Sequence, residues 1–426
     1  MMEGYDSYKD SGIIWVGQTP QHWSDQKIKF LFKEKKSTPN LSLNCGSISF
    51  GRVVFKDDDS IPSSRKETYQ EVLDGEFLIN PLNLNYDLKS LRIARSDKNV
   101  VVSPGYMVLQ LQRQSDPKFF EFLLHVFDTE HMKSLGSGVR QTISFNHLKT
   151  EQLPIPPIDE QRKIGQYLDR KTTLIDSLIE KTVRKIELLK EKRTSLINEV
   201  VTKGLNPDVE MKDSGVEWIG EIPSHWEIRK GSTLGVFSKG NGIKKDEVTS
   251  EGIPCVRYGE LYTIYDHKVT QTVSFVKDDI GVPIEYGTLL MTGSGELVED
   301  IGKCVVYSGE GQIRVGGDLI ILVPSVDFNP LFLSYLMNSE SIRIQREMSG
   351  RGGIIVHIYS KNFKDMKFST PPLQEQDQIV DFLDEQTSII DSTITNEEKR
   401  IELLKEYRQS LISEVVTGKV KVTRDE

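Results

Sequence analysis

Two segments of the chain carry apolar residues at helical spacing. Between 158 and 203, Leu168, Ile175, Leu189 and Leu196 recur every seven or fourteen residues, and Ile179, Ile186 and Val200 fill positions four further on. Between 373 and 418 the spacing returns at Leu383, Ile390, Leu404 and Leu411, with Ile394, Ile401 and Val415 beside them. Each segment starts just behind a Pro-Pro pair with acidic residues in its first turn, Asp159 and Glu160 or Glu375 and Asp377. Glycine ends each, at Gly204 and Gly418. These are helix start and stop signals. The spacing predicts two long helices, each with one apolar seam and, at 1.5 Å per residue, roughly 65–70 Å in length. Such a seam needs a partner. Antiparallel pairing of the two helices within the chain, about a pseudo-twofold axis and with the intervening domains at the ends of a rod, is the expectation. Packing of each helix on its own domain, or parallel pairing between two chains, are the alternatives.

Elsewhere the pattern shortens. Residues 71–80 and 99–111, then 252–265, 286–295 and 302–324, are runs rich in Val, Ile, Tyr and Phe between turn residues, which predict strands. Residues 117–133 and 330–347 predict two shorter helices at corresponding places. The class is α+β.

The chain repeats itself. KDSGIIWVGQTPQHW at 9–23 returns as KDSGVEWIGEIPSHW at 212–226, an offset of 203 that preserves Lys9, Asp10, Ser11, Gly12, Trp15, Gly17, Pro20, His22 and Trp23. IELLKEKRTSLINEVVT at 186–202 returns as IELLKEYRQSLISEVVT at 401–417, an offset of 215 with 14 of 17 positions identical. This is internal duplication. The segments between the repeated blocks share far less, whereas drift alone would blur frame and inserts alike. The order reads as an N-terminal arm (1–23), a variable domain (24–157), a helix (158–204), a linker with the repeated arm (205–226), a second variable domain (227–372), a second helix (373–418) and a tail (419–426).

Composition narrows the function. Of 426 residues 37% are hydrophobic and 27% charged, as in globular proteins, and the length calls for more than one domain. The three cysteines, Cys45, Cys255 and Cys304, lie far apart, and the N-terminus lacks secretory-signal features. The expected setting is reducing and cytoplasmic, with no membrane role. No metal motif occurs among the scattered histidines, no phosphate-binding GxxxxGK[ST], no glycine-rich cofactor loop and no nucleophile elbow. The expectation is a binding protein with no catalytic, metal or cofactor site of its own. The net charge of −9 means that any grip on nucleic acid must come from local cations or from partners.

Loops between the strands carry residue types that read base edges. Residues 81–92 hold Asn83, Asn85, Lys89 and Arg92, and residues 136–146 hold Arg140 and Gln141. In the second insert, 291–303 holds Thr292, Ser294, Glu296 and Lys303, and 349–357 holds Arg351 and His357. Arg52, Lys244 and Arg257 complete the candidates. Arg and Lys suit guanine, Asn and Gln suit adenine, and Glu accepts from cytosine. Any one of these alone is more often on a solvated turn; their recurrence in both inserts makes the case. A helical adaptor without DNA specificity and an unrecognised enzyme are the competing readings.

The arm KDSGxxWxGxxPxHW, the helix entries PPIDEQRKI (156–164) and PPLQEQDQI (371–379), and the helix ends ELLKExRxSLIxEVVT, all present twice and in order, resemble the specificity subunit of type I restriction–modification enzymes over essentially the whole chain. The resemblance implies two β-rich target-recognition domains joined by two long antiparallel coiled-coil helices that act as a ruler. Each domain would read half of a split, asymmetric site on double-stranded DNA. It also implies two methyltransferase subunits bringing S-adenosylmethionine and adenine methylation, and two restriction subunits bringing ATP- and magnesium-dependent cleavage.

Overall fold

Helices Ile158–Lys203 and Leu373–Val416 occupy the two segments marked by the seven-residue spacing. The second stops two residues short of the expected 418, with Gly418 just beyond in the left-handed region (φ 74°), as is Gly204 (φ 76°) after the first. The computed structural model describes residues 3–58, 61–82, 91–112, 114–135, 142–295, 301–350 and 356–422. It forms two units, residues 1–183 with 398–426 and residues 184–397, so each long helix contributes to both.

Within each unit the helices run antiparallel. In the second unit Lys185 meets Glu397 at 2.5 Å and Arg193 meets Asp391 at 2.9 Å, so one helix ascends as the other descends. In the first, Arg408 Nε and Nη2 hold Asp176 at 2.9 and 3.3 Å. At the 215 offset Asp176 corresponds to Asp391 and Arg193 to Arg408. The pairing is therefore reciprocal, i with j′ and j with i′, as twofold-related helices require. Leu168 and Ile175 share a core with Leu411, Ile412 and Val415, and Val200 shares another with Ile379, Val380 and Leu383.

The seam is less apolar than its spacing suggests. Ile186, Ile390 and Ile394 are buried, but Ile179, Leu189, Leu196, Ile401 and Leu404 are only half-buried. Buried Thr172, Thr182 and Thr387 sit among them. Their hydroxyls donate to the carbonyls of Leu168, Leu178 and Leu383 one turn back at 2.8, 2.7 and 2.6 Å, so no buried hydroxyl lacks a partner there.

The repeated motifs are the parts that lock arm to helix. Each arm folds as a hairpin, Tyr8–Asp10 with Gln18–Pro20 and Met211–Asp213 with Glu221–Pro223. Asp10 and Asp213 each accept the amide two residues on at 2.9 Å, from Gly12 and Gly215, which turn with φ 67° and 69°. Trp23 and Trp226 are fully buried, and their indole N–H groups donate to Glu160 and Glu375 at 3.2 and 3.1 Å. His22 and His225 bond the same two carboxylates at 2.8 Å. The next residue of each motif, Gln161 or Gln376, accepts the amide of Asp116 or Asn329 at 3.0 or 2.9 Å. Those two residues cap the helices Pro117–Glu130 and Pro330–Met337 through their own side chains.

Between arm and helix, each unit closes its variable domain with one strand pair, Ser24–Lys27 on Gln152–Ile155 and Glu227–Lys230 on Lys367–Thr370. Inside that clasp the first unit holds a four-stranded antiparallel sheet, ordered Phe32–Glu34, Met107–Leu111, Phe77–Ile79 and Ile93–Arg95. The second holds two five-stranded sheets. One is ordered Gly235–Lys239, Leu319–Pro324, Leu289–Thr292, Cys304–Tyr307 and Lys268–Val269. The α+β class holds. Two local expectations fail. Residues 252–265 are a strand, Ile253–Val256, followed by a helix, Tyr258–Thr263. The helix expected over 330–347 breaks into Pro330–Met337 and Glu340–Ser349. At the break, Asn338 uses its side chain on the Cys304 amide and carbonyl at 3.0 and 2.7 Å, which fixes the chain to the sheet. Among the described residues no helix is long and apolar enough to cross a membrane.

Candidate nucleic-acid interface

In each unit the described ends of the two segments expected to read bases meet at one place. In the first unit, strands Phe77–Ile79 and Ile93–Arg95 pair and flank 81–92, with the Asn80 amide on the Arg92 carbonyl at 2.9 Å. The second loop returns to the same stem, where the Ile143 amide donates to the Pro81 carbonyl at 3.0 Å. The second unit repeats the plan. Strands Leu289–Thr292 and Cys304–Tyr307 flank 291–303, and the Thr292 amide donates to the Lys303 carbonyl at 3.1 Å. Ser294–Gly295 pairs with Val356–His357, and the Ile358 amide donates to the Gly293 carbonyl at 2.9 Å. Ile143 and Ile358 are 215 positions apart, the offset of the helices.

The candidate residues divide into several groups. Asn83, Asn85, Lys89, Arg140, Gln141, Glu296 and Arg351 lie outside the described residues. Arg52, Lys244 and His357 are exposed. Lys244 rises from a turn in which Gly242 and Ile243 both have positive φ, 65° and 53°, beside exposed Lys245. His357 stacks near Tyr359 with ring centroids 6.4 Å apart. Ser294 is half-buried, and its carbonyl accepts both Tyr258 and Tyr262 hydroxyls at 2.6 and 2.5 Å.

Four more candidates lie buried or half-buried in their domains. Arg92 is buried, where burial pushes its guanidinium pKa down against the opposing pull of Asp128. Thr292 is buried in a strand whose four residues are all interior. Lys303 is half-buried and donates to the Tyr265 carbonyl at 2.7 Å. Arg257 is half-buried and pairs with buried Glu260 at 3.2 Å. The Lys303 ammonium and the Arg257 guanidinium are engaged inside the domain.

Sequence reasoning missed the residues that hold the loop stems. In the first unit the buried carboxylate of Asp128, on helix Pro117–Glu130, accepts the amides of Arg92 and Ile93. In the second, buried Arg346, on helix Glu340–Ser349, donates to the Gly302 carbonyl, and burial pushes its pKa down to about 10. An Asp or Arg within an amphipathic helix reads as a solvated face, so no sequence signal marked either.

Beside the first stem lies a cleft of about 620 Å³ whose lining includes Phe50, Arg52, Leu91, Arg95 and Asp176. The second unit has about 220 Å³ beside Arg193. There Asp266 holds Arg193 at 2.5 Å, and Tyr335 donates to Asp384 at 2.6 Å. Asp266 is held well below the usual carboxylate range, first by its hydrogen bond with His267 and further by Arg193.

Comparison with known proteins fits this frame. Residues 85–188 and 223–406 match the family described as type I restriction modification DNA specificity domain. The chain is similar to the type I restriction enzyme MjaVIII specificity subunit of Methanocaldococcus jannaschii, with 24% identity over 355 residues, 79% of this chain and 74% of that protein. Its fold is similar to a chain in a structure addressing complex assembly and conformational transition of the type I R-M system. The TM-score is 0.71 at 16% identity, covering 93% of this chain and 98% of that one. The HsdS subunit of Thermoanaerobacter tengcongensis gives a TM-score of 0.55 at 15% identity, with coverage of 94% and 98%. The chain belongs to the type I restriction modification DNA specificity family and is a DNA-recognition specificity subunit, a binding component and not a catalyst.

Proposed function

We propose that residues 24–157 and 227–372 are two reading domains, each recognising one half of a split, asymmetric site on double-stranded DNA. A specificity subunit assembles with methyltransferase and restriction subunits; the proposed complement is two of each. The observation that supports two readers is the convergence of both loop stems in each unit, Asn80 to Arg92 with Pro81 to Ile143, and Thr292 to Lys303 with Gly293 to Ile358. Two loops meeting at one stem can present side chains to one stretch of groove, where base-edge contacts supply sequence and cations on phosphate supply position. Asn83, Asn85, Lys89, Arg140 and Gln141 are the proposed readers of one half. Ser294, Glu296, Arg351 and His357 are those of the other, with Arg52 and Lys244 on phosphates.

The test is genome-wide mapping of methylated adenines in cells carrying the cognate methyltransferase, with and without this chain. A two-part motif that depends on the chain is expected. Replacing Asn83 and Asn85 together, while leaving buried Arg92 alone, should relax one half of that motif and spare the other. Equal loss at both halves would overturn the assignment of one domain to each half.

A further inference from the structure

The first unit carries a hairpin whose tip suits neither its own turn nor solvent. Strands Gly46–Ser49 and Arg52–Phe55 pair with Ser49 opposite Arg52, which leaves Phe50 and Gly51 as a two-residue turn. Both have positive φ, 47° and 72°. That is the geometry of a type I′ turn, whose first position favours Asn, Asp or Gly and penalises a bulky side chain. The ring gains nothing from the domain in return, since Phe50 is 88% exposed. A strained backbone position that also exposes an apolar ring is kept for some other use.

What stands next to the tip indicates that use. Leu91 packs on Gly51 so closely that an added Cβ would lie 2.7 Å from its Cδ1. Leu91 directly precedes Arg92, whose carbonyl closes the stem of the first reading loop. On the other side, the Arg52 side chain is 79% exposed and only 3.9 Å from Asp176 at its nearest approach. One ring with a cation beside it is a poor protein-docking site, which needs a surrounding apolar patch to exclude water. The same pair matches a duplex, where an apolar side chain can enter a base step while a guanidinium holds the adjoining phosphate.

We propose that Phe50 is a wedge that enters a base step of the bound duplex beside the half-site of the first reading domain, with Arg52 on the neighbouring phosphate. This rests on the DNA-reading function proposed above. The test uses the full chain purified with its methyltransferase subunit, and duplexes carrying the mapped motif with 2-aminopurine placed at successive positions other than the methylated adenine. The Phe50→Asn variant suits the turn, so its urea midpoint should equal or exceed that of the wild type, and its yield of complex should be unchanged. Its affinity for the target should fall about tenfold, the order of one aromatic–base contact, and the fluorescence rise at one step should vanish. The Phe50→Trp variant should show indole quenching on adding target duplex. A wild-type complex with sequence preference that Phe50→Asn fully keeps, fluorescence included, removes the wedge alone. Loss of methyltransferase from Phe50→Asn with unaltered DNA binding by what assembles would place the ring on a protein interface and also overturn it. A wild-type complex with no sequence preference removes the reading and the wedge together.

Discussion

The two units share a frame and differ in what the frame encloses. Glu160 and Glu375 receive the same His-Trp pair, Gln161 and Gln376 each accept the amide of a helix-capping residue (Asp116 or Asn329), and one antiparallel strand pair closes each domain. Inside the clasp the chemistry inverts. The first unit fastens its loop stem with a buried carboxylate under two amides, and the second with a buried guanidinium on a carbonyl. The sheets differ too: among the described residues the largest sheet of the first has four strands, whereas the second has two sheets of five. His22 and Trp23 have their partner, Glu160, in another repeated block, as His225 and Trp226 have Glu375, so both sides must be kept together. Asp128 has Arg92 and Ile93, and Arg346 has Gly302, inside the same insert, and such a pair can change together without disturbing the frame. That is how one scaffold can carry two unlike readers.

If the frame is equivalent in both copies, Trp23→Ala and Trp226→Ala should cost alike, and these are the largest effects expected. Each removes a fully buried indole and strips a donor from its glutamate, a change of about 3–5 kcal/mol by denaturant titration. A marked difference between the two would break the equivalence. The readers should respond unequally. Asp128→Ala leaves two buried amides without their acceptor and a buried arginine beside them without the opposing charge, for about 3–5 kcal/mol. Arg346→Ala uncovers a single carbonyl, for about 1–3 kcal/mol. A larger loss at Arg346 than at Asp128 would reverse this ordering and show that the second anchor does more than hold Gly302.

The frame was legible in the sequence because it is periodic and repeated. Leu168, Ile175, Leu383 and Leu411 announce the helices by spacing alone, and the doubled arm announces the second copy. The partners of His22 and Trp23 were not legible, since a contact between residues more than a hundred positions apart leaves no periodic trace. The readers were legible as strands but less so as sites. Leu289–Thr292 is interior at all four positions, so the alternation that would have marked Thr292 as buried is missing. Arg92 sits between Leu91 and Ile93, and only its neighbour Asp128, on a distant helix, reveals that it is enclosed.

The smallest effect is also the sharpest probe of the reciprocal helix pairing. Asp176 with Arg408 and Asp391 with Arg193 are the same ion pair written twice, and both are partly exposed. Arg408→Ala should therefore cost only about 0.2–1 kcal/mol. Exchanging the charges separates the units. In the first, Asp176→Arg with Arg408→Asp restores a pair, and Arg52, the reader cation 3.9 Å from Asp176, is exposed enough to swing away. In the second, Arg193 also holds Asp266 at 2.5 Å, so Arg193→Asp with Asp391→Arg sets two carboxylates against each other. The first exchange should return the urea midpoint nearly to that of the wild type, and the second should not. If both exchanges restored stability equally, Asp266 would be idle and the second reader would not be tied to its helix through Arg193. If neither did, the two pairs would not be the interchangeable contacts that a duplicated, antiparallel frame demands.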